Sequence, residues 1–450
     1  MSMLRLALKV GFVFVLTLAI LIPLSMIGGV IHERQEYRAQ AVADIARSYA
    51  GAQSFAGPVL VVPYTQVEEV EDPTPYDPHR KVQRTKTDYW TFFPAALDVR
   101  GPMRPDTRRR GLYEVRVYEW QGRAKARFDV RIPEDAAVTG RQIGRPYLSY
   151  AIADVRGLRA APRLRVNGRE MALEEGMGSR DGPGLHVRLD APAAGQALTV
   201  DTDLDIRLGG TESLALVPLG KSNRFALESS WPHPSFGGTS PRHDIDARGF
   251  HADWEIASVA STAQRQFLEG RSLPELGEGA ASMRGLDAVG VSLIDPVDIY
   301  TQSDRATKYG VLFVLLTFVG FFIFELIKQL PIHPIQYGLV GLSLAIFFLL
   351  LVSLSEHFDF LYSYFAASAA CIGLLGFYLS AVLRSVGRGL GFAAMLATLY
   401  AALYGLLVSE DNALVLGAGL LFLVLATIMV ITRRVDWYQL AGARPAPRLE

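Results

Sequence analysis

The sequence predicts an α-helical membrane protein that carries one large antiparallel, sandwich-like β domain. Three observations predict it. Five apolar runs follow one another near the C-terminus, at 309–327, 335–354, 360–383, 390–408 and 413–432. A sixth, 10–31, follows a short basic start containing Arg5 and Lys9. Between them, residues 32–308 are rich in charge, and apolar residues there recur at every second position.

Each apolar run approaches the roughly 20 residues a helix needs to cross about 30 Å of hydrocarbon. A soluble fold would have to bury five such helices on every face, so these runs are read as membrane helices. The first run is longer than the apolar core of a secretory leader, about 7–15 residues. It ends at Gly28-Gly29-Val30-Ile31, a poor cleavage site. It is therefore expected to stay as a signal anchor, with Pro23 tolerated as a kink.

Short-loop Lys and Arg set the orientation. Arg5 and Lys9 hold residues 1–9 in the cytoplasm, which sends 32–308 outward across the membrane. Lys328, then Arg384 and Arg388, then Arg433 and Arg434 mark the inner ends of later helices. Glu356, His357 and Asp359, and Glu410-Asp411, mark the outer ends. The expected topology has six membrane helices and both termini inside, with 433–450 as a cytoplasmic tail.

Residues 32–50 contain no Pro or Gly, and Tyr37, Ala41, Ile45 and Tyr49 recur every four residues. A helix is expected there, extending the first membrane helix and stopping at Gly51. From Gly57 the period becomes two. Strands are expected at 59–64, 113–118, 124–132, 198–208 and 250–256, with a hairpin turn at Gln121-Gly122. Asn167-Gly168 predicts a tight hairpin between 164–166 and 169–173. Residues 67–86 read as an exposed loop, 231–238 as a rigid loop and 269–285 as a linker. Gly209-Gly210 and Gly237-Gly238 read as turn glycines. Strand order is open.

Lys and Arg number 45, as do Asp and Glu, so no basic surplus points to nucleic acid. The one cysteine, Cys371, lies in an apolar run, which removes disulfides and thiolate zinc sites from the polar domain. No Gly-x-Ser-x-Gly, His-Glu-x-x-His, P-loop or dinucleotide fingerprint occurs. No catalytic residue, cofactor or metal is nominated, and the chain reads as a non-enzyme.

His233, His243, Asp244, Asp246 and His251 are zinc-ligand types, but at no recognised spacing; the plainer reading is a turn-rich surface. Asp201, Asp203 and Asp205 can be read as a calcium row, or as one solvated strand face, which their alternation favours. Glu325 lies in an apolar run and is a functional candidate by position; the alternative is pairing with Lys328 near the inner interface. Glu356 and His357 can sense pH or an ion, or form a solvated rim. Tyr337, Tyr362, Tyr364, Tyr378, Tyr400 and Tyr404 read as an interfacial aromatic belt.

Several stretches then resemble a family. They are Ile22-Pro23 with Glu33-Arg34, Arg110-Gly111-Leu112-Tyr113 with Val117-Tyr118, and Asp154-Val155-Arg156-Gly157-Leu158. Trp231-Pro232-His233-Pro234-Ser235-Phe236, Gly249-Phe250 with Trp254, and Arg305-Ala306-Thr307-Lys308-Tyr309 follow. The last is Ile332-His333-Pro334-Ile335-Gln336-Tyr337, running on to Ser355-Glu356-His357. Together they resemble the CreD (Cet) inner membrane proteins of Gram-negative bacteria. The acidic insert near Glu68 to Asp77 falls outside that pattern. The resemblance implies a role in cell-envelope integrity and stress response, with links to a sensor-kinase and response-regulator pair, colicin tolerance and β-lactam stress. It implies no active site. Three functions remain: an envelope-stress protein contacting the lipid bilayer and envelope or membrane protein partners; a transporter or channel-like component using Glu325, Glu356 and His357; and a membrane-tethered enzyme.

Overall fold

The computed structural model describes residues 3–71, 79–134, 141–178, 182–276, 283–293, 299–328, 332–408 and 413–433. The acidic turn at Glu410-Asp411, Arg434, the tail beyond it, the insert's 72–77 portion and the side chain of Lys328 lie outside the described residues. The chain divides into two compact units, residues 1–37 with 297–450, and residues 38–296.

Helix α1 (Met3–Tyr49) runs unbroken through Pro23. The expected outer helix is thus one piece with the first apolar run. The unit of residues 38–296 takes the last turns of α1 and two sheets. The first sheet holds β1 (Gln53–Glu71), β2 (Lys81–Phe92), β5 (Gln142–Ile143), β6 (Tyr147–Ile152), β9 (Glu174–Glu175), β10 (Gly184–Arg188), β12 (Ser213–Val217), β14 (Pro234–Gly237) and β19 (Val289–Leu293). The second holds β3 (Ala96–Arg110), β4 (Tyr113–Arg131), β7 (Arg163–Val166), β8 (Arg169–Met171), β11 (Ala197–Thr211), β13 (Ser222–Ser229), β15 (Arg242–Asp246) and β16 (Gly249–Ala257), in the order β15-β16-β13-β3-β4-β11-β7-β8. A small pair, β17 (Glu275–Leu276) and β18 (Met283–Arg284), and helix α2 (Ala263–Leu268) complete it.

Alternation puts one face of each strand into a shared core. Leu60, Val62, Leu148, Tyr150 and Leu216 from the first sheet meet Val99, Trp120, Phe128, Leu204, Phe225 and Trp254 from the second. Burying one such large side chain stabilises by about 1.5–3 kcal/mol. The back of the first sheet is covered too, where Phe267 of α2, Leu286 and Ala288 pack on Val59, Val61, Ala215 and Val217.

The sheets are mixed, not antiparallel. β1 runs parallel to β12, with Gln53 opposite Leu214. β3 runs parallel to β13, with Ala96 opposite Ser222. Alternation reports which face is buried and carries no information on strand direction, so these two crossovers were invisible. Five further expectations change. The Gln121-Gly122 turn does not exist, because β4 is continuous from Tyr113 to Arg131. Gly122 is needed there because a Cβ would sit 2.4 Å from the Trp120 ring, so it marks close packing rather than a turn. Gly209-Gly210 likewise lies inside β11.

Within the expected loop at 67–86, residues 67–71 and 81–86 instead form the outer part of a long β1–β2 ribbon, paired from Leu60–Phe92 out to Glu71–Lys81. The rigid loop at 231–238 contains β14, and the linker at 269–285 contains β17 and β18. Asn167 and Gly168, at φ of +49° and +79°, make the expected turn between β7 and β8.

The outer face of the second sheet is a charge ladder. One rung crosses seven strands as Glu255, Arg224, Asp98, Lys125, Asp203, Arg165 and Glu170, each facing the next. Signs alternate without exception, so each strand-to-strand contact is a favourable cross-strand pair.

The other unit contains α3 (Ile299–Lys328), α4 (Pro334–Ser355), α5 (Phe360–Val382), α6 (Val386–Val408) and α7 (Ala413–Thr432) with the first part of α1. Five helices, α1 and α3 to α6, are long and apolar enough to cross a membrane. In α7 the described apolar stretch, Val415–Thr427, is shorter. Helix α3 begins ten residues before the apolar run, and α6 four residues before it. Tyr337, Tyr364 and Tyr400 are buried among the helices, so they are core residues and not a belt; Tyr362 remains exposed.

Candidate functional site

The densest meeting of motif residues surrounds the end of α1. A helix leaves its last four carbonyls without intrahelical donors. Here the carbonyls at and just beyond the last turn take donors from other segments. Arg156 donates to the Arg47 carbonyl at 3.0 Å, and Arg159 to that of Tyr49 at 2.9 Å. The Thr211 hydroxyl donates to Ala50 at 2.6 Å, and the Thr211 amide to Gly51 at 3.1 Å. Two guanidinium groups at a helix C-terminus also complement its dipole.

Asp154 organises the donors. Its carboxylate accepts from Arg156 Nε at 2.9 Å and from the Gly51 amide at 3.2 Å. Gln53 bridges the same ground, donating to the Asp154 carbonyl at 2.9 Å and to that of Gly209 at 3.0 Å. The Arg156 guanidinium beside Asp154, helped by the Gly51 and Arg156 amides and opposed by partial burial, holds its carboxyl below the usual carboxylate range. Gly157 is the tightest point, since a Cβ there would lie 2.3 Å from the Gly209 carbonyl and 2.4 Å from Gln53 Nε2.

Arginines also grip the side of the helix. The Tyr49 ring carries Arg159 at 3.8 Å and Arg108 at 5.8 Å. Arg110, at the tip of the β3–β4 hairpin, pairs with Asp44 at 3.4 Å. Val115 and Val117 of β4 pack on Ile45. Arg116 lies 4.7 Å over the Trp231 ring, and Trp231 Nε1 donates to the His233 carbonyl at 3.0 Å. The stretches around Arg110, Asp154 and Trp231, distant in sequence, thus converge on one helix end and its supports.

The metal-type candidates do not converge. His233 is exposed beside β14, in the first sheet, with its ring against Trp231. His243 contacts the Pro241 carbonyl at 3.2 Å. His251 pairs with Asp253 at 2.8 Å, with Asp244 opposite it on β15. Asp246 accepts from the Arg248 amide at 2.7 Å. Among the described residues, no group of three or more His, Cys, Asp or Glu is placed to hold a metal. Asp203 is bound two-pronged by Arg123 at 2.8 and 2.6 Å, and Asp205 lies 3.8 Å from the same guanidinium. Asp203, with Asp201, lines a shallow face of about 570 Å³ shared with Lys125 and Arg165.

In the helical unit, Glu325 is 6% exposed and accepts from the Tyr337 hydroxyl at 2.7 Å. Glu356 pairs with Arg34 at 3.1 Å and its side chain is only 9% exposed, so it is not a solvated rim. His357 is exposed and turns to the Ser353 carbonyl at 3.4 Å. A third polar group was not anticipated. Cys371 Sγ lies 3.2 Å from Ser343 Oγ, the Tyr400 hydroxyl donates to it at 3.1 Å, and the Tyr364 hydroxyl donates to the Tyr400 carbonyl at 2.7 Å. The signal available in sequence was polar atoms in the middle of apolar runs, which seek one another in a membrane.

These features define a multi-helix membrane protein with a mixed-sheet domain built onto the end of its first helix. A family model described as Inner membrane protein CreD matches residues 5–438. Inner membrane protein CreD of Escherichia coli (strain K12) is 33% identical over 433 residues, 96% of this chain and 93% of that protein. The chain belongs to the CreD family of inner membrane proteins.

Proposed function

We propose that this is a non-enzymatic inner-membrane protein that supports envelope integrity under stress. In this reading six helices cross the membrane, both termini are cytoplasmic, and the sandwich-like unit stands in the periplasm. There it meets envelope components or membrane protein partners. The alternation of basic and acidic loops supports the orientation. The observation that carries the functional reading is the cap on α1. The chain's most concentrated motif residues hold a helix end through hydrogen bonds to its backbone carbonyls, a structural use of those residues. Deleting the protein and scoring survival under β-lactam and detergent stress tests it. Unchanged survival, with no rescue effect of the full chain, overturns the reading.

A transporter is the second reading, favoured by one observation, the buried carboxylate of Glu325.

A further inference from the structure

The β1–β2 ribbon extends beyond the rest of its sheet. Past Tyr64 and Thr65, where β5 pairs with β1, the ribbon continues for six residue pairs from Gln66–Lys86 to Glu71–Lys81. Both faces of that part are largely open, with Gln83, Arg84, Thr85, Lys86 and Thr87 all exposed. Among the described residues no strand pairs with the far edge of β2. A two-stranded ribbon alone is marginal in water, and an open edge is a template for another strand.

We propose that the occupant of this edge is β2 of a second copy of the chain, added antiparallel about a two-fold axis through Thr87. The sequence of β2 selects this register. Side chains that face one another across an antiparallel pair share a face. With Thr87 opposite Thr87, Lys86 faces the second copy's Asp88, Arg84 faces Trp90, Thr85 faces Tyr89 and Val82 faces Phe92. The face carrying Lys86 is then complementary throughout, with two ion pairs, two cation–π pairs and two apolar pairs, while Thr85–Tyr89 and Gln83–Thr91 pairs flank Thr87 on the other face.

The neighbouring registers fail. Centred on Lys86 or Asp88, like charges meet on the axis. Centred on Thr85, Arg84 meets Lys86; centred on Tyr89, Asp88 meets Trp90 and Lys86 meets Phe92, so both ion pairs are lost. Lys86 and Asp88 are 3.2 Å apart within one strand, so both charges already stand at the edge. Trp90 is stacked on Tyr64 at 4.3 Å, and Arg141 lies 5.1 Å over the other ring of that stack. The indole is thereby held in place for an incoming guanidinium. Two-fold pairing uses the same edge of both copies and so closes on itself.

The test is disulfide trapping of the full chain in detergent micelles. The native Cys371 is buried and does not compete. Thr87→Cys, on the axis, is expected to form a linked dimer under mild oxidation. Thr85→Cys and Tyr89→Cys are expected to link poorly alone and well when the two variants are mixed. Lys86→Asp is expected to shift the particle mass from dimer to monomer, and the double swap Lys86→Asp with Asp88→Lys to restore the dimer. A monomeric wild-type chain at all concentrations overturns the proposal. So does Thr87→Cys linking no better than its neighbours, or a double swap that stays monomeric although folded.

Discussion

Arg34 of α1 and Glu356 at the end of α4 form an ion pair at 3.1 Å in which the carboxylate is nearly enclosed and the guanidinium is about one-third exposed. This asymmetry sets which loss is worse. Removing Arg34 leaves an enclosed carboxylate without its cation, whereas removing Glu356 leaves a cation that reaches water. Arg34→Ala is expected to cost about 2–3 kcal/mol and Glu356→Ala about 1–2 kcal/mol. Thermal unfolding of the detergent-solubilised chain measures both. A double-mutant cycle giving a coupling below about 0.5 kcal/mol would mean that the pair stabilises nothing.

The cap on α1 gives a pH prediction. Arg156 holds the Asp154 carboxyl below the ordinary carboxylate range in the folded chain. A depressed folded-state pKa contributes stability that is present above the unfolded value, about 3.9, and lost as pH falls through the folded one. The β unit should therefore lose stability on the acid side of about pH 4. Asp154→Asn should flatten that limb while costing stability at neutral pH. Denaturation midpoints of the wild type and the variant between neutral and acid pH decide it, and parallel curves would exclude Asp154 as a contributor.

Gly157 should be the least replaceable residue of the cap. A methyl group there meets a backbone carbonyl at 2.3 Å, and backbone cannot step aside as a long side chain can. Gly157→Ala is expected to cost at least about 2 kcal/mol and to expose the Gly51 and Thr211 amides to hydrogen exchange. Gly168→Ala, also a glycine but with open space around it, should cost only the strain of its positive φ, about 1 kcal/mol. Equal effects would show that crowding at Gly157 is relieved by movement of the backbone.

Much of this architecture was legible because it rests on periodicity. Apolar runs marked the helices, and the alternation in 198–208 and 250–256 marked β11 and β16. What stayed hidden depends on contacts between distant residues. Gly122 and Gly209 looked like turns because a glycine that admits the Trp120 ring or the Arg159 guanidinium has the same local sequence as one that bends the chain. Glu356 looked solvated because its partner, Arg34, lies more than three hundred residues earlier. Asp154 and Arg156 stood out only through resemblance, since a donor to another segment's carbonyls has no sequence period. The acidic row at Asp201, Asp203 and Asp205 shares one strand face, with Asp203 only partly exposed. The arginines and lysine that neutralise it sit on neighbouring strands.

Glu325 and Tyr337 separate the two functional readings. The carboxylate lies in the last turns of α3 and the phenol in the first turn of α4, joined at 2.7 Å with both side chains buried. If the pair is a fastener between helices, what matters is a hydrogen bond from the phenol, and an amide oxygen can accept it as a carboxylate does. Glu325→Gln should then keep envelope function and near-normal stability. Tyr337→Phe should cost about 1–2 kcal/mol by removing the donor, with Glu325→Leu similar, and both should act through protein level alone. If Glu325 instead carries a proton or cation, the charge itself is required. Glu325→Gln would then abolish function at normal protein level, and Tyr337→Phe would be the milder change. Stress survival scored beside membrane abundance for the three variants distinguishes them. The fastener reading fails if the Gln variant is abundant and inactive.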